Sequence, residues 1–329
     1  MTNTASRPFI ALAHVASQLT GLYLTLDLCD QESPHKQAKD VSKSLETWSL
    51  SEWSDYVTDF FYHDPRHPKF LKVKRRLQDQ GLSLASETFK FFQHTYENNG
   101  QVLLITDQAY PKLLAHIPDP PLLLSGLGNF NLLAGPSISV IGSRRASAET
   151  LQECYELGVR LAQFSINAVS GGAYGCDIAT HLGVLSACEG SCLATTVFAG
   201  GLGHLYPKGN MHAFRDMLRQ GGLFISERLW WQAARPSDFP VRNRIISGLS
   251  YELLVMQAAA KSGSLITAKK ALDQGREVLV LRLPSVGFDA GCDGSRDLIV
   301  DGAYSFGSVD ELLSQYTFFH EACSAERFL

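Results

Sequence analysis

The 329-residue sequence has no stretch approaching roughly 18 uncharged apolar residues, so nothing in it reads as a membrane-spanning helix. Its start, Met1-Thr2-Asn3-Thr4-Ala5-Ser6-Arg7, lacks a basic region followed by an apolar core. No secretory leader is expected, and the chain reads as cytoplasmic, soluble and without a membrane partner. Cysteine is sparse and odd in number, seven scattered residues, which suits reduced thiols rather than a disulfide framework. Cys188 and Cys192 are spaced like half a zinc site, but no second ligand pair follows, so no metal is expected. Positive charge is not in excess: the formal net charge of -4 excludes a histone-like polycation, and any nucleic-acid binding must come from a local basic groove. Repeats of fixed period and long low-complexity tracts are also missing. Neither the P-loop order G-x-x-x-x-G-K-[ST] nor the dinucleotide pattern G-x-G-x-x-G is met, so neither ATP chemistry nor a cofactor is expected.

What is present is an ordinary globular composition, 45% hydrophobic and 19% charged, at a length that fits one large unit and a smaller one. Residues 1–100 are rich in Trp, Phe, His and Lys and read as helices without strands, for example the amphipathic run from Leu50 to Phe61. They predict a small helical N-terminal domain of unassigned role. Residues 101–133 carry short apolar runs broken at Asp119-Pro120-Pro121 and read as a connecting segment. Residues 134–315 alternate β-branched or apolar runs with amphipathic stretches, the rhythm of a parallel sheet covered on both faces. Strands are expected at Ser137–Ile141, Asn167–Val169, Leu193–Phe198, Leu223–Ile225, Leu253–Met256 and Glu277–Leu281. A helix is expected over Ala148–Gln163 behind a Ser147 cap. The fold class is therefore α/β, a doubly wound, mostly parallel Rossmann-like sheet with a small helical N-terminal domain. Residues 316–329 form a short C-terminal tail.

In such sheets ligands bind beyond the carboxyl ends of the strands, so the residues that follow each strand are the informative ones. Gly142-Ser143-Arg144-Arg145 combines a close-approach glycine, helix-start amides and a forked donor suited to phosphate, although a tight turn with two solvated arginines has the same sequence. Ser170-Gly171-Gly172-Ala173-Tyr174-Gly175 again leads into a helix, which Asp177 opens and which holds His181. No residue context makes His181 a base with a nucleophile, so it reads as a hydrogen-bonded helix residue. In the third loop four glycines, Gly200, Gly201, Gly203 and Gly209, surround Tyr206 and Lys208: a base-stacking ring beside a phosphate contact, or a tyrosine packed under a proline turn. In the run from Phe239 to Ser250, a helix from Pro240 puts Arg242 on the face of Ile245, Ile246 and Leu249 and turns Arg244 roughly 200° away. An arginine at the mouth of an apolar face needs a carboxylate or a ligand phosphate as partner. Lys261-Ser262-Gly263-Ser264, with Thr267 in the next helical turn, offers a further anion pocket.

Taken together the loops resemble the DNA-processing protein A (DprA/Smf) family. The resemblance is carried by Gly142-Ser143-Arg144, the segment Ser170 to Asp177, Tyr206-Pro207 with Asn210, Phe239-Pro240-x-Arg242-Asn243-Arg244-Ile245-Ile246, Ser262-Gly263-Ser264-Leu265-Ile266-Thr267-Ala268 and Gly275-Arg276-Glu277-Val278, and it spans about residues 103 to 306. It implies a homodimer that binds single-stranded DNA without sequence preference, protects incoming DNA and helps load the RecA recombinase in natural transformation, with no catalytic turnover. By similarity Arg144 and Lys208 contact phosphates, and Phe239, Arg242 and Arg244 lie at or beside the groove. The candidate DNA-contact set is Gly142, Ser143, Arg144, Ser170, Gly171, Lys208, Phe239, Arg242, Asn243, Arg244, Lys261, Ser262, Gly263 and Ser264. Three positions depart from the family's pattern: Tyr174 replaces a basic residue, Gly203 an Asp, and Gln257 a Glu. The segment from Leu229 to Arg235 replaces a Pro/Gly-rich loop and reads as a hydrophobic contact surface.

Two other readings stand beside DNA binding: an enzyme that cleaves a nucleotide glycosidic or phosphate bond, and a nucleotide sensor without turnover. An enzyme needs a poised carboxylate near the phosphate loop. Asp177 and Glu227 are the candidates, and each also serves as a helix cap or a partner for Arg242.

Overall fold

The computed structural model describes residues 91, 94–105, 107–188, 190–283 and 291–315. The expected N-terminal helical domain, apart from its last few residues, and the tail from 316 onward lie outside the described residues. The element order is β1 (Gln101–Leu104), α1 (Lys112–Ala115), β2 (Leu123–Gly128), β3 (Ser137–Ile141), α2 (Ala148–Gln163), β4 (Asn167–Ser170), α3 (Cys176–Ala187), β5 (Ala194–Val197), α4 (Met211–Arg219), β6 (Leu223–Ser226), α5 (Asp238–Gly248), β7 (Glu252–Val255), α6 (Gly263–Asp273), β8 (Glu277–Leu281), α7 (Asp293–Val300), β9 (Tyr304–Phe306) and α8 (Val309–Gln315).

The nine strands of the described residues join one sheet in the order β1-β2-β6-β5-β4-β3-β7-β8-β9. The chain winds outward from β3 in one direction through β4, β5 and β6 and in the other through β7, β8 and β9, and these strands pair in parallel. The reversal between β3 and β7 is the topological switch point, where such sheets open a crevice. Each of the six strands expected from the sequence is present within a residue or two of its expected ends. The segment 101–133 does more than connect. It adds β2 antiparallel to β6 and β1 antiparallel to β2, and so extends that edge of the sheet. β9, three residues long, closes the other edge and was also missing from the expected set.

Alternation along the central strands feeds two cores. Ile138, Val140, Ala168 and Phe224 face a layer that includes Leu157 and Leu161 of α2, Val184 of α3 and Phe214 of α4. Ile141, Val169, Val197, Leu223 and Ile225 face Leu114 of α1, Ile245 and Ile246 of α5 and Ala268 of α6. Burial on both faces is why apolar side chains leave these strands on both sides and why the polar ones among them, Ser139, Thr195 and Thr196, are buried as well. On the first face Phe198, Phe214 and Phe224 pack edge to face with centroids 5.1 to 5.6 Å apart, which adds specific geometry to their burial. On the second, Ser137 and Ser139 donate hydroxyl hydrogen bonds of 2.6 Å to the carbonyls of Leu249 and Ile246 and so pin α5 to β3. Among the described residues no helix is long and apolar enough to cross a membrane.

α2 and α3 approach until their backbones touch at Gly158 and Gly183, where an added Cβ would collide with the carbonyl oxygens of Thr180 and Tyr155. A glycine to alanine change inside a helix ordinarily stabilises by about 0.5–1 kcal/mol. Here the overpacking should reverse that sign. Gly158→Ala is expected to destabilise the protein by about 1–3 kcal/mol, read as a lower urea midpoint at unchanged slope, and an unchanged or raised midpoint would show that the helices can separate at no cost.

Candidate nucleic-acid interface

The loops after β3 and β4 lie on one another. Gly142 is a glycine because a Cβ there would meet the Cys176 side chain. The N–H of Cys176 donates to the Ser143 carbonyl at 3.2 Å, which sets the first turn of α3 against the β3 loop. Gly175, at φ 79°, occupies the left-handed region, and a Cβ on it would strike the Ser143 carbonyl. The Ser143 hydroxyl accepts from the Arg145 N–H at 3.1 Å, and Ser147 caps α2 by accepting from the Thr150 N–H at 3.1 Å. Arg144 and Arg145 are left exposed at the lip.

Asp177 shapes the β4 loop from below: its carboxylate accepts from the N–H groups of Gly171 and Ala173, both at 3.2 Å. Burial raises its pKa above the usual value, while Arg242 and these N–H donors oppose the shift. Arg242 lies flat against Gly171, where a Cβ would collide with its guanidinium, and its Nη1 donates to the Val197 carbonyl at the end of β5. Burial lowers the Arg242 pKa to about 10, with Asp177 opposing and Arg144 adding to the shift, so the group remains a cation at neutral pH. Phe239 stands in front of it. The Arg144 and Arg242 guanidinium carbons lie 5.5 and 6.0 Å from the Phe239 ring centroid, and Tyr206 meets the same ring edge to face at 6.0 Å. Tyr206 is 49% exposed, so its outer face is open to solvent.

The β5 loop is tied in from the other side. Asn210 donates its side-chain amide to the Gly172 carbonyl at 3.0 Å, and the Tyr174 hydroxyl accepts from the Gly209 N–H at 3.3 Å. Tyr174, in the position of the family's basic residue, therefore clamps the turn that carries the exposed Lys208. The glycines earlier in that loop serve packing: the N–H groups of Gly201 and Gly203 donate to the carbonyls of Gln232 and Trp230 at 2.7 and 3.0 Å. A Cβ on Gly203 would lie 2.8 Å from the Trp230 indole, so the departure at Gly203 and the Trp-containing segment explain each other. Trp230 packs against the core.

Arg244 departs from the expectation that it lies beside the groove. Its Nε donates to Asp119 at 2.9 Å and its Nη1 to Glu227, with the side chain almost wholly buried. α5 is covered on both sides, so the residue turned away from the apolar face still meets protein, and it forms an internal ion pair. Asn243 is half-buried on the same helix. Lys261 (φ 59°), Ser262, Gly263 and Ser264 lie beyond β7, across the switch point from Phe239. Ser262 caps α6 by accepting from the Leu265 N–H at 3.4 Å, and the Thr267 hydroxyl donates back to the Gly263 carbonyl at 3.0 Å. Gln257 spans the crevice: its Oε1 accepts from the Ser147 N–H at 3.0 Å and its Nε2 donates to the Gly291 carbonyl at 3.4 Å. A carboxylate could accept from Ser147 but not donate to Gly291, which accounts for an amide at that position.

Gly142, Ser143, Arg144, Ser170, Gly171, Phe239 and Arg242 thus come together directly, and Lys208 joins them through Tyr174 and Tyr206. Asn210 and Tyr174, which hold this arrangement, had only a motif position and a departure to mark them in the sequence.

A doubly wound, mostly parallel α/β sheet with a cationic, aromatic-bearing loop cluster at its carboxyl edge defines a Rossmann-like domain. The family model for DNA recombination-mediator protein A matches residues 101–317, and the chain belongs to that family. The DNA processing protein DprA of Bacillus subtilis is 33% identical over 253 residues, which are 74% of this chain and 83% of that one. The crystal structure of DprA from Streptococcus pneumoniae superposes with a TM-score of 0.66 at 27% identity, over 96% of this chain and 99% of that one. A Helicobacter pylori DprA structure described for its single-stranded DNA binding mode superposes with a TM-score of 0.59 at 26% identity, over 68% and 96% of the two chains.

His181 lies in the core under these loops, its Nδ1 3.4 Å from the Thr196 hydroxyl and its ring against the Ala168 backbone, which opposes the effect of burial. Burial lowers its pKa from 6.5 to about 4. Between those values the unfolded chain binds a proton that the native state refuses, so stability should fall as pH falls through that window, by about 3 kcal/mol in all. Urea midpoints measured from pH 7 to pH 4 should show this slope in the parent and a flatter one in His181→Gln; equal slopes would remove His181 as the cause.

Proposed function

We propose that this chain binds single-stranded DNA without sequence preference across the β3, β4 and β5 loops and the start of α5, and that it does so without catalytic turnover. The observation that carries the reading is the interleaving of cations and rings: exposed Arg144 over Phe239, which the buried Arg242 backs, Tyr206 edge-on to the same ring and half exposed, and exposed Lys208 beside them. Single strands are held by this combination, phosphates by cations and bases by aromatic faces. The H. pylori relative, described by its single-stranded DNA binding mode, supports it. Lys261, Ser262, Gly263 and Ser264 would extend the path across the switch point.

The absence of turnover rests on the state of the candidate acids and bases. Asp177 braces the Gly171 loop, Glu227 is paired with Arg244, and His181 is sealed in the core. The family role follows for the whole protein: a cytoplasmic homodimer that protects incoming DNA and helps load a RecA recombinase in natural transformation.

Fluorescence anisotropy with labelled oligothymidine and a matching duplex, titrated across salt concentrations, tests the binding. The single strand should bind more tightly, and Arg144→Ala and Lys208→Ala should each weaken it roughly 10- to 100-fold while flattening the salt slope by about 0.7 for each phosphate no longer neutralised. Folded variants that bind as the parent does would displace the site, and a parent that ignores DNA but binds mononucleotides would replace the reading with a nucleotide sensor.

A further inference from the structure

Lys208 does not stand alone. The 3-10 turn Lys208–Asn210 runs directly into α4, and His212, Arg215 and Arg219 follow Lys208 at helical spacing. At about 100° per residue His212, Arg215 and Arg219 on α4 fall within an arc of about 60°, and Lys208 precedes them on the 3-10 turn. Ala213, Phe214 and Met217 occupy the opposite arc and are buried against the sheet. The basic face is therefore the solvent face of the helix: the His212 side chain is 92% exposed and that of Arg219 75%, with Arg215 and Lys208 also exposed. The one acidic residue on α4, Asp216, sits at the flank, where it pairs with His212 at 3.0 Å and Arg219 at 3.4 Å. Three permanent cations thus share the stripe with a single carboxylate.

Position gives the stripe its meaning. It begins at the lip, where the Tyr174 clamp on Gly209 sets Lys208 beside the loop cluster, and α4 then descends toward the start of β6, a run of about 16 Å at 1.5 Å per residue. We propose that the solvent face of α4 is a second segment of the DNA path, in which Arg215 and Arg219 take phosphates of a strand that leaves the loop cluster past Lys208. The inference rests on the single-stranded DNA reading and extends it from a local site to a track. The track carries arginines, a lysine and one imidazole but no Phe, Tyr or Trp on its face, so its arginines hold backbone and leave most bases free.

Its test separates the track from the site. The full chain and the double variant Arg215→Ala/Arg219→Ala are titrated with labelled oligothymidines of roughly 6 and 20 nucleotides, lengths chosen to fill the loop cluster alone or to overrun it. The expected result is unchanged affinity for the short oligomer, a loss of about 3- to 10-fold for the long one at low salt, and a long-oligomer salt slope shallower by about 1.4, the equivalent of two phosphates. Arg296→Ala on α7, beyond β7 on the opposite side of the switch point from α4, removes one exposed positive charge outside the track and should leave both oligomers bound as before. Long-oligomer affinity and slope equal to the parent's would overturn the track, as would equal losses on both lengths or a matching loss in Arg296→Ala. Failure of the parent itself to bind either oligomer would instead remove the DNA reading beneath it.

Discussion

The Arg242 guanidinium is a cation held where water does not reach, and the loops of the candidate site are arranged around that fact. Desolvating such a charge costs several kcal/mol unless partners surround it. The structure supplies them from three elements: the Asp177 carboxylate below the β4 loop, the Val197 carbonyl at the end of β5 and the face of Phe239 from its own helix. Gly171 must lack a side chain because the guanidinium occupies that space. Asp177 in turn gathers the loop's N–H groups, so the same pair that neutralises the cation also fixes the loop conformation. Removing either charge would leave the other buried and would free the β4 loop, which is why the pair is an architectural element first and a source of potential second.

The sheet was legible because burial on both faces writes each central strand as a short apolar run, and the Ser147 cap and the 3.6-residue pattern of α2 were equally plain. The outer strands were not. β1 and β2 are short runs separated by a proline-containing stretch with the one-turn α1, which reads as a connection, and β9 has three residues, one of them buried, so neither period nor length marks it. At the site, the glycine of Gly142-Ser143-Arg144 and the mouth position of Arg242 were readable because close approach and an apolar neighbour leave few roles open. Arg244 was placed beside the groove by the family resemblance, and the helical wheel turned it away from Arg242 without naming the partner it meets there. The wheel assumes one wet side, whereas α5 has Glu227 and Asp119 waiting on its second side, and those come from distant segments.

The family departures illustrate the same limit at finer scale. Gly203 and Trp230 are 27 positions apart yet compete for one volume, so neither is intelligible alone. Gln257 bridges an N–H and a carbonyl that belong to two other loops. Tyr174 exchanges a cation for a ring and a hydroxyl, and the hydroxyl is used to hold the Lys208 turn. In each case the residue answers to a partner that only the fold brings near.

Charge distribution then bears on what kind of nucleic acid the proposed function can favour. The chain as a whole is acidic, at -4, so long-range attraction for DNA is weak and affinity must come from contacts at the loop cluster. Arg144 and Lys208 alone would serve a duplex as well as a single strand, since both present phosphates. The exposed face of Tyr206 distinguishes them: a duplex keeps its bases stacked and paired, and only an open strand can lay a base on a ring. Arg242, buried behind Phe239, holds that ring in place rather than reaching outward. Preference for the single strand therefore depends on the aromatic layer, and the cations around it determine how tightly, and with what salt dependence, the preferred strand is held.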